Sequence, residues 1–159
     1  MVPIEDLKKI RFFRQLESGI LEKLAPLCQV TIFSEKTILF KQGQKAEYFY
    51  ALLKGKVLLE IELSQDISVS LDAAEAGEVF GWPALFEDGR YTSDAVCTEP
   101  CEVIQFPKER LLEQMQRDPE LGFQIAKGAM ALLKEKLEKR TEQFIKVLSM
   151  HPNLRELSP

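Results

Sequence analysis

The chain has 159 residues, 45% of them hydrophobic and 29% charged, which suits one globular domain with a modest appendage and a core of useful size. A net charge of -4 argues against nucleic acid or an anionic membrane as partner of the chain as a whole. Glu5, Asp6, Lys8, Lys9, Arg11 and Arg14 leave no room for an apolar signal region, and no apolar run approaches the roughly 18 residues of a membrane span, so a cytoplasmic protein is expected.

In chain order, Leu7, Ile10 and Phe13 recur at helix spacing. From Glu17 to Leu27, the residues Ile20, Leu21, Leu24 and Leu27 share one helical face, and Pro26 ends or kinks that helix. From Cys28 the period becomes that of strands. Val30, Ile32, Ile38 and Phe40 lie in short runs broken by Ser34-Glu35-Lys36 and Gln42-Gly43-Gln44. Tyr48 to Leu53 is a β-prone run punctuated by Lys54-Gly55-Lys56. Val57, Leu59, Ile61 and Leu63 then alternate with polar residues, as do Ile67, Val69 and Leu71, with Ser64-Gln65-Asp66 as the hairpin tip. Such alternation predicts one buried and one wetted face. Two further strands are expected at Ser93 to Thr98 and Cys101 to Phe106, joined at Glu99-Pro100. Three cysteines, Cys28, Cys97 and Cys101, read as reduced thiols. The C-x-x-x-C spacing of Cys97 and Cys101 reads as two small residues beside a strand turn, with a redox pair as the alternative.

From Pro107 the helical period returns, with Leu111, Leu112 and Met115 inward on a helix from Lys108 to Gln116. Asp118-Pro119-Glu120 then reads as N-cap, first helical residue and first-turn acid of a long helix ending near Leu148. The predicted fold class is α+β, mainly β: a double-stranded β-helix, or jelly-roll-like β-roll, of about eight strands, with N-terminal helices and a long C-terminal helix. The expected organisation is N-terminal helices over 1–27, the roll over 28–107, C-terminal helices over 108–149 and a tail over 150–159.

On the long helix, Ala126, Met130, Leu133, Leu137, Arg140, Phe144 and Val147 form a heptad stripe with Arg140 as its polar interruption. The opposite face carries Lys127, Lys134, Glu135, Glu138, Lys139 and Glu142. The first turns, with Leu121, Phe123 and Ile125, are expected to pack on the chain's own roll. A helix of roughly thirty residues is about 45 Å long, more than a small roll covers. The stripe therefore predicts a parallel homodimer; the alternative is that all of it packs on the roll. Arg140 either sets the register or binds an anion.

The segment Gly77-Glu78-Val79-Phe80-Gly81-Trp82-Pro83-Ala84-Leu85-Phe86-Glu87-Asp88-Gly89 resembles the phosphate-binding cassette of cyclic nucleotide-binding domains of the CRP/FNR-like family. Ile38 to Gln44, Tyr48 to Val57 and Thr98 to Val103 are similar to other parts of that family, in the same order, and the likeness covers roughly residues 10 to 147. The resemblance implies a roll with a cassette at 77–93, where backbone N–H groups cradle a phosphate, a glutamate takes the ribose hydroxyl, an arginine pairs with the phosphate and the long helix closes over the base. Aligned from Gly81 to Val96 without a gap, the glutamate position holds Trp82 and the arginine position Thr92, followed by Ser93 and by Asp94, where a small residue is usual. Both recognising side chains are absent, and Asp94 adds a like charge.

The candidate ligand-binding residues are therefore Gly81, Trp82, Pro83, Arg90, Thr92 and Ser93, with Leu133, Lys136 and Leu137 as a lid on the long helix. Arg90 would share a side with Thr92 in a strand and could hold an anion; the alternative leaves it solvated in the Gly89-Arg90 turn. Lys136 falls where the family's helix contacts the base, or is a solvated lysine. Trp82 reads as core filler or as a ligand wall. The expected function is a regulatory, signal-sensing domain that binds a small ligand other than cAMP or cGMP, nucleotide-like or otherwise anionic, and signals through a dimer helix. The alternative is a dimeric scaffold with a vestigial pocket and a protein partner. Direct nucleic acid binding is not expected, because only His151 to Pro159 follow the long helix. A single histidine, His151, argues against a cupin-type metal centre, and no nucleophile motif points to an enzyme.

Overall fold

The computed structural model describes residues 1–155. The apolar spacing near the N-terminus forms two short helices, α1 (Ile4–Lys8) and α2 (Ser18–Leu24), with single 3-10 turns at Arg11–Phe13 and Ala25–Leu27. Pro26 sits at the start of the second turn, where its missing N–H is tolerated. Leu7, Ile10, Phe13, Leu21 and Leu24 are buried. Phe12 and Phe13 pack edgewise and tilted on Phe49 and Phe106, at centroid distances of 5.4 and 5.3 Å.

Eight strands follow: β1 (Gln29–Phe33), β2 (Ile38–Phe40), β3 (Tyr48–Lys54), β4 (Lys56–Ser64), β5 (Ile67–Glu75), β6 (Val79–Phe80), β7 (Asp94–Cys97) and β8 (Cys101–Pro107). Their pairing is nested and antiparallel: β1 with β8, β2 with β7, β3 with β6, and β4 with β5. This is one long hairpin rolled on itself, its tip at the β4–β5 turn. Rolling divides the strands into two four-stranded sheets, ordered β1-β8-β3-β6 and β2-β7-β4-β5. The mainly β, jelly-roll-like class expected from the alternation is the observed one. Gly55, with φ +100°, lets the chain cross between sheets; a Cβ there would stand 2.6 Å from the Pro100 carbonyl oxygen.

The β4–β5 arm departs from the expectation. Leu63, Ile67 and Val69 are exposed, while Asp72 and Ala74 are buried. The register shift between Leu59 and Glu60 leaves Leu71 as an extra residue of β5, so Val69, opposite Ile61, keeps the side of Asp72, opposite Leu59. Ser68 and Ser70 are exposed as well, so the far end of the arm is wetted on both faces.

The cysteines are free and buried, with Cys97 ending β7 and Cys101 opening β8. Burial pushes the Cys28 thiol up to about 12. Burial, with a hydrogen bond to Cys101, does the same for Cys97.

Helices α3 (Lys108–Arg117) and α4 (Pro119–Ser149) follow, then the short α5 (Pro152–Arg155). Asp118 caps α4: its Oδ1 accepts the Leu121 N–H at 3.2 Å, and its other oxygen accepts from Lys23 on α2. The chain divides into two compact units, Met1–Gln124 and the segment from Ile125 onward. Leu121 and Ile125 are buried, but Phe123 is 63% exposed. Phe123 stands seven residues before Met130, so it lies on the exposed heptad stripe rather than beside Leu121. Among the described residues no helix is long and apolar enough to cross a membrane, and no group of His, Cys, Asp or Glu is arranged to hold a metal ion.

Candidate ligand-binding cassette

The cassette hangs from β3. Gly77, with φ +94°, and Glu78 exchange backbone hydrogen bonds with Leu52, which leads into β6. After Phe80 the chain turns at Gly81, left-handed with φ +76°. A Cβ there would meet the Tyr50 ring at 3.0 Å and the Tyr48 carbonyl oxygen at 3.2 Å, so both conformation and space require glycine. A single 3-10 turn, Trp82–Leu85, follows, closed by Ala84 N–H to Gly81 O at 3.1 Å. Pro83 contributes no N–H to this turn. Phe86 N–H returns to Pro83 O, and Gly89 N–H to Phe86 O. Gly89 lies so close to Pro83 that a Cβ would sit 1.7 Å from the Pro83 oxygen.

The exit arm, Gly89 to Asp94, runs along the loop before β3. Three backbone hydrogen bonds join them: Ala46 N–H to Gly89 O, Tyr91 N–H to Gln44 O, and Gly43 N–H to Tyr91 O, at 2.8 to 3.0 Å. Side chains add four more. Arg90 Nη1 donates to Gly43 O at 2.8 Å. The Tyr91 hydroxyl donates to Tyr48 O at 2.7 Å and accepts from Tyr48 N–H at 3.1 Å. Asp94 Oδ1 accepts from Gln42 N–H at 2.7 Å.

Beside the cassette, four buried rings fill the interior of the roll. Phe40 and Tyr91 stack at 3.6 Å with an interplanar angle of 11°, and Tyr50 and Phe80 stack at 4.9 Å and 6°. Phe40 lies 5.8 Å from Tyr50 and joins the two stacks. Burial pushes the Tyr50 phenol up, with Gln105 and Tyr91 as its hydrogen-bond partners, and burial also pushes Tyr91 up. Both phenols therefore stay protonated at neutral pH. Gln105 in turn accepts from Thr31 at 2.6 Å, and no buried side-chain polar atom among the described residues lacks a partner.

The residues expected to form the pocket thus have distinct places. Gly81 and Pro83 are buried in the turn. Trp82 is half-buried and meets Phe86 edge-on at 5.9 Å, so its ring rests on a neighbour in the cassette. Ser93 is buried and Thr92 exposed. Arg90 is exposed, as the solvated reading has it, yet tied to Gly43 and bridged to Lys45. Asp94, expected to repel an anion, has its carboxylate engaged by Gln42. Leu133 and Lys136 are half-buried and Leu137 is 69% exposed, all in the second unit. Of the heptad stripe, Ala126, Met130, Leu137, Phe144 and Val147 are exposed and Leu133 and Arg140 half-buried. The role of Tyr91 and Phe40 was not apparent from sequence. The available signal was the pair Tyr48 and Tyr50, which two-residue spacing places on one face of a strand with the cassette beside it.

Two grooves lie elsewhere on the first unit. One, about 1260 Å³, runs between the loop at Lys45 to Tyr48 and α3; the other, about 350 Å³, lies between Lys41 and the β4–β5 tip.

Residues 30–118 match the cyclic nucleotide-binding domain model, more than half of the 159 residues. The chain belongs to the cyclic nucleotide-binding domain family. Within it, the cAMP-activated global transcriptional regulator CRP of Pasteurella multocida is 27% identical over 95 residues, covering 59% of this chain and 46% of that protein. The global nitrogen regulator of Nostoc sp. is 28% identical over 155 residues, 94% of this chain and 63% of that protein. The chain thus spans less than two thirds of either relative. A crystal structure of a cyclic nucleotide-binding domain from Methylobacillus flagellatus superposes with a TM-score of 0.77 at 16% identity, covering 90% of this chain and 80% of that one, a likeness of fold alone.

Proposed function

We propose that this cyclic nucleotide-binding-type domain is a non-catalytic sensory module that does not take cAMP or cGMP. In this reading it responds to another small, anionic or nucleotide-like ligand and signals through a homodimer built on α4. One observation carries the reading. The cassette keeps its glycine turn and its place on β3, yet the positions that would hold the sugar-recognising acid and the phosphate-pairing arginine hold Trp82 and Thr92. A bidentate arginine–phosphate pair is among the stronger polar contacts, and threonine cannot replace it. Arg90 does not stand in as it is, because its guanidinium is bonded to Gly43 O. The dimer is supported by the exposed stripe Phe123, Met130, Leu137 and Phe144, four large apolar residues seven apart.

Titration calorimetry with cAMP and cGMP should give no heat of binding at ligand concentrations up to about 1 mM, the level at which a dissociation constant corresponds to only about 4 kcal/mol. Micromolar affinity for either would sink the reading. Native mass spectrometry of the purified protein should reveal a retained small molecule and its mass.

A second reading, a dimeric scaffold with a vestigial pocket, is favoured by the aromatic fill. The Phe40–Tyr91 and Tyr50–Phe80 stacks occupy the roll beside the cassette. A native mass equal to the bare dimer, with no ligand recovered on denaturation, selects that reading.

A further inference from the structure

We propose that Arg90, Tyr91 and Asp94 form a latch that holds the cassette to the β2–β3 loop with no ligand bound. The inference deepens the proposed function, since it concerns the same cassette and says how that cassette is kept in place. Three backbone hydrogen bonds already join the two segments concerned, and the side chains add to these. Lys41, Gln42, Gly43, Gln44 and Lys45 are exposed, as are Glu87 and Asp88 at the far end of the cassette. Exposed loops of this kind open locally at low free energy unless something ties them.

Beyond those three bonds, the ties are side chains within five consecutive residues, and each reaches a different point of the loop. Asp94 takes the Gln42 N–H, Arg90 takes the Gly43 carbonyl, and the Tyr91 hydroxyl takes both the N–H and the carbonyl of Tyr48. The loop is thereby held at its start, at its glycine and at its entry to β3. The Tyr91 ring adds a hydrophobic anchor, stacked at 3.6 Å on Phe40 of β2. Burial disfavours ionisation of its phenol, so the hydroxyl remains a donor over the physiological range.

A ligand that bridges a cassette and a roll supplies this kind of cross-link only while bound. In this chain the protein supplies it from three residues flanking the vacant recognition position, Thr92. The cassette is then fixed whether or not a cyclic nucleotide is present. Any anion that recruits Arg90 must first break its bond to Gly43, so such a ligand acts by releasing the latch.

Hydrogen–deuterium exchange with mass spectrometry, on the full chain without ligand, tests this. Peptides covering 41–48 and 89–94 should be protected to a degree comparable with β3. Tyr91→Phe keeps the ring stack and removes two hydrogen bonds, and Asp94→Ala removes one from the half-buried rim. At about 1 kcal/mol per hydrogen bond, exchange in these two peptides should accelerate roughly 30-fold for Tyr91→Phe and 5-fold for Asp94→Ala, with β3 beyond Tyr48 and α2 unchanged. If Tyr91→Phe loosens the whole molecule, Asp94→Ala decides the matter, because its effect should stay local. Wild-type exchange at the rate of an unprotected loop overturns the latch, as do variants that leave both peptides unchanged. The outcomes separate from those of the proposed function: cAMP binding by calorimetry would remove that reading and leave these exchange rates to be judged on their own.

Discussion

Replacing Gly89 with alanine should damage this domain more than any other single methyl group added to a turn. The new Cβ would lie 1.7 Å from the Pro83 carbonyl oxygen, 2.6 Å from its carbon and 3.1 Å from the Phe86 oxygen. These are backbone atoms and cannot rotate away. Restoring an ordinary contact of about 3.4 Å requires the turn at Pro83 and the exit at Gly89 to separate by roughly 1.7 Å, and overpacking of this kind typically costs about 1–3 kcal/mol. Separation also strains two hydrogen bonds, Gly89 N–H to Phe86 O and Ala46 N–H to Gly89 O, each of which is worth about 1 kcal/mol. The expected loss is about 3–5 kcal/mol, or a fall in Tm of about 6–20 °C for a chain of this size. Gly43→Ala provides the control. Its φ of +86° makes a side chain unfavourable, but nothing lies within 4 Å of the new Cβ, so only the backbone term of about 1–2 kcal/mol applies. Urea unfolding followed by circular dichroism measures both. If Gly89→Ala is as stable as wild type, or no worse than Gly43→Ala, the close approach of cassette exit to cassette turn is wrong.

Leu137→Glu should convert a dimer to monomers in analytical ultracentrifugation at tens of micromolar while leaving thermal unfolding of the roll in place, because Leu137 is 69% exposed within the chain; a wild-type monomer under those conditions refutes the dimer itself. All three thiols should resist iodoacetamide in the native protein up to about pH 10 and react only after unfolding, because they are buried and the Cys28 and Cys97 thiols are pushed up to about 12. Rapid labelling of Cys97 at pH 8 would contradict that packing. Lys23 and Asp118 give a pH signature. The hydrogen bond from Lys23 holds the Asp118 carboxyl below its usual range, so the stabilisation is present above the unfolded pKa of about 3.9 and is lost as pH falls through the lower folded value. The same bond raises Lys23, whose contribution is present below its ordinary value and lost as pH rises through the folded one. Asp118→Ala should therefore lower Tm at pH 7 and narrow its difference from wild type at pH 3; an unchanged difference would show that capping by charge is not the cause.

Periodicity carried the fold well because the roll is built from local contrasts. The change from helix to strand spacing at Cys28 and back at Pro107 marks the limits of the eight strands closely. It failed where a residue's surroundings depend on the rest of the fold. Val69, opposite Ile61, keeps the side of Asp72, opposite Leu59, yet is exposed, because the far end of the β4–β5 arm is wetted on both faces, and nothing in the alternation of β5 announces where the core stops. Phe123 failed differently, since it fits both a stripe facing inward with Leu121 and one running on to Met130, and only the heptad count separates them. At the cassette, the reading of Trp82 and Thr92 as substitutes for an acid and an arginine rests on the resemblance alone. The hydrogen bonds of Arg90, Tyr91 and Asp94 were not legible, because their partners are backbone groups some fifty residues away in the chain.

The proposed loss of recognising side chains does not conflict with the shape of the cassette. Glycine at 81 and 89 is demanded by contacts inside the protein, with the Tyr50 ring and with Pro83, and would be demanded with or without a ligand. The Tyr91 stack and hydroxyl tie the same segment to β2 and β3. Steric necessity and internal bonding are thus sufficient to keep the turn, while positions 82 and 92, whose side chains lie at the half-buried and exposed edges of it, are free of that constraint. Recognition and architecture occupy different atoms of one short segment, so one can change while the other stays. Trp82→Glu combined with Thr92→Arg should then leave thermal unfolding by circular dichroism unchanged, and calorimetry with cAMP separates two causes: binding by the double variant places the block at positions 82 and 92, and no binding places it at the aromatic fill of Phe40 and Tyr91.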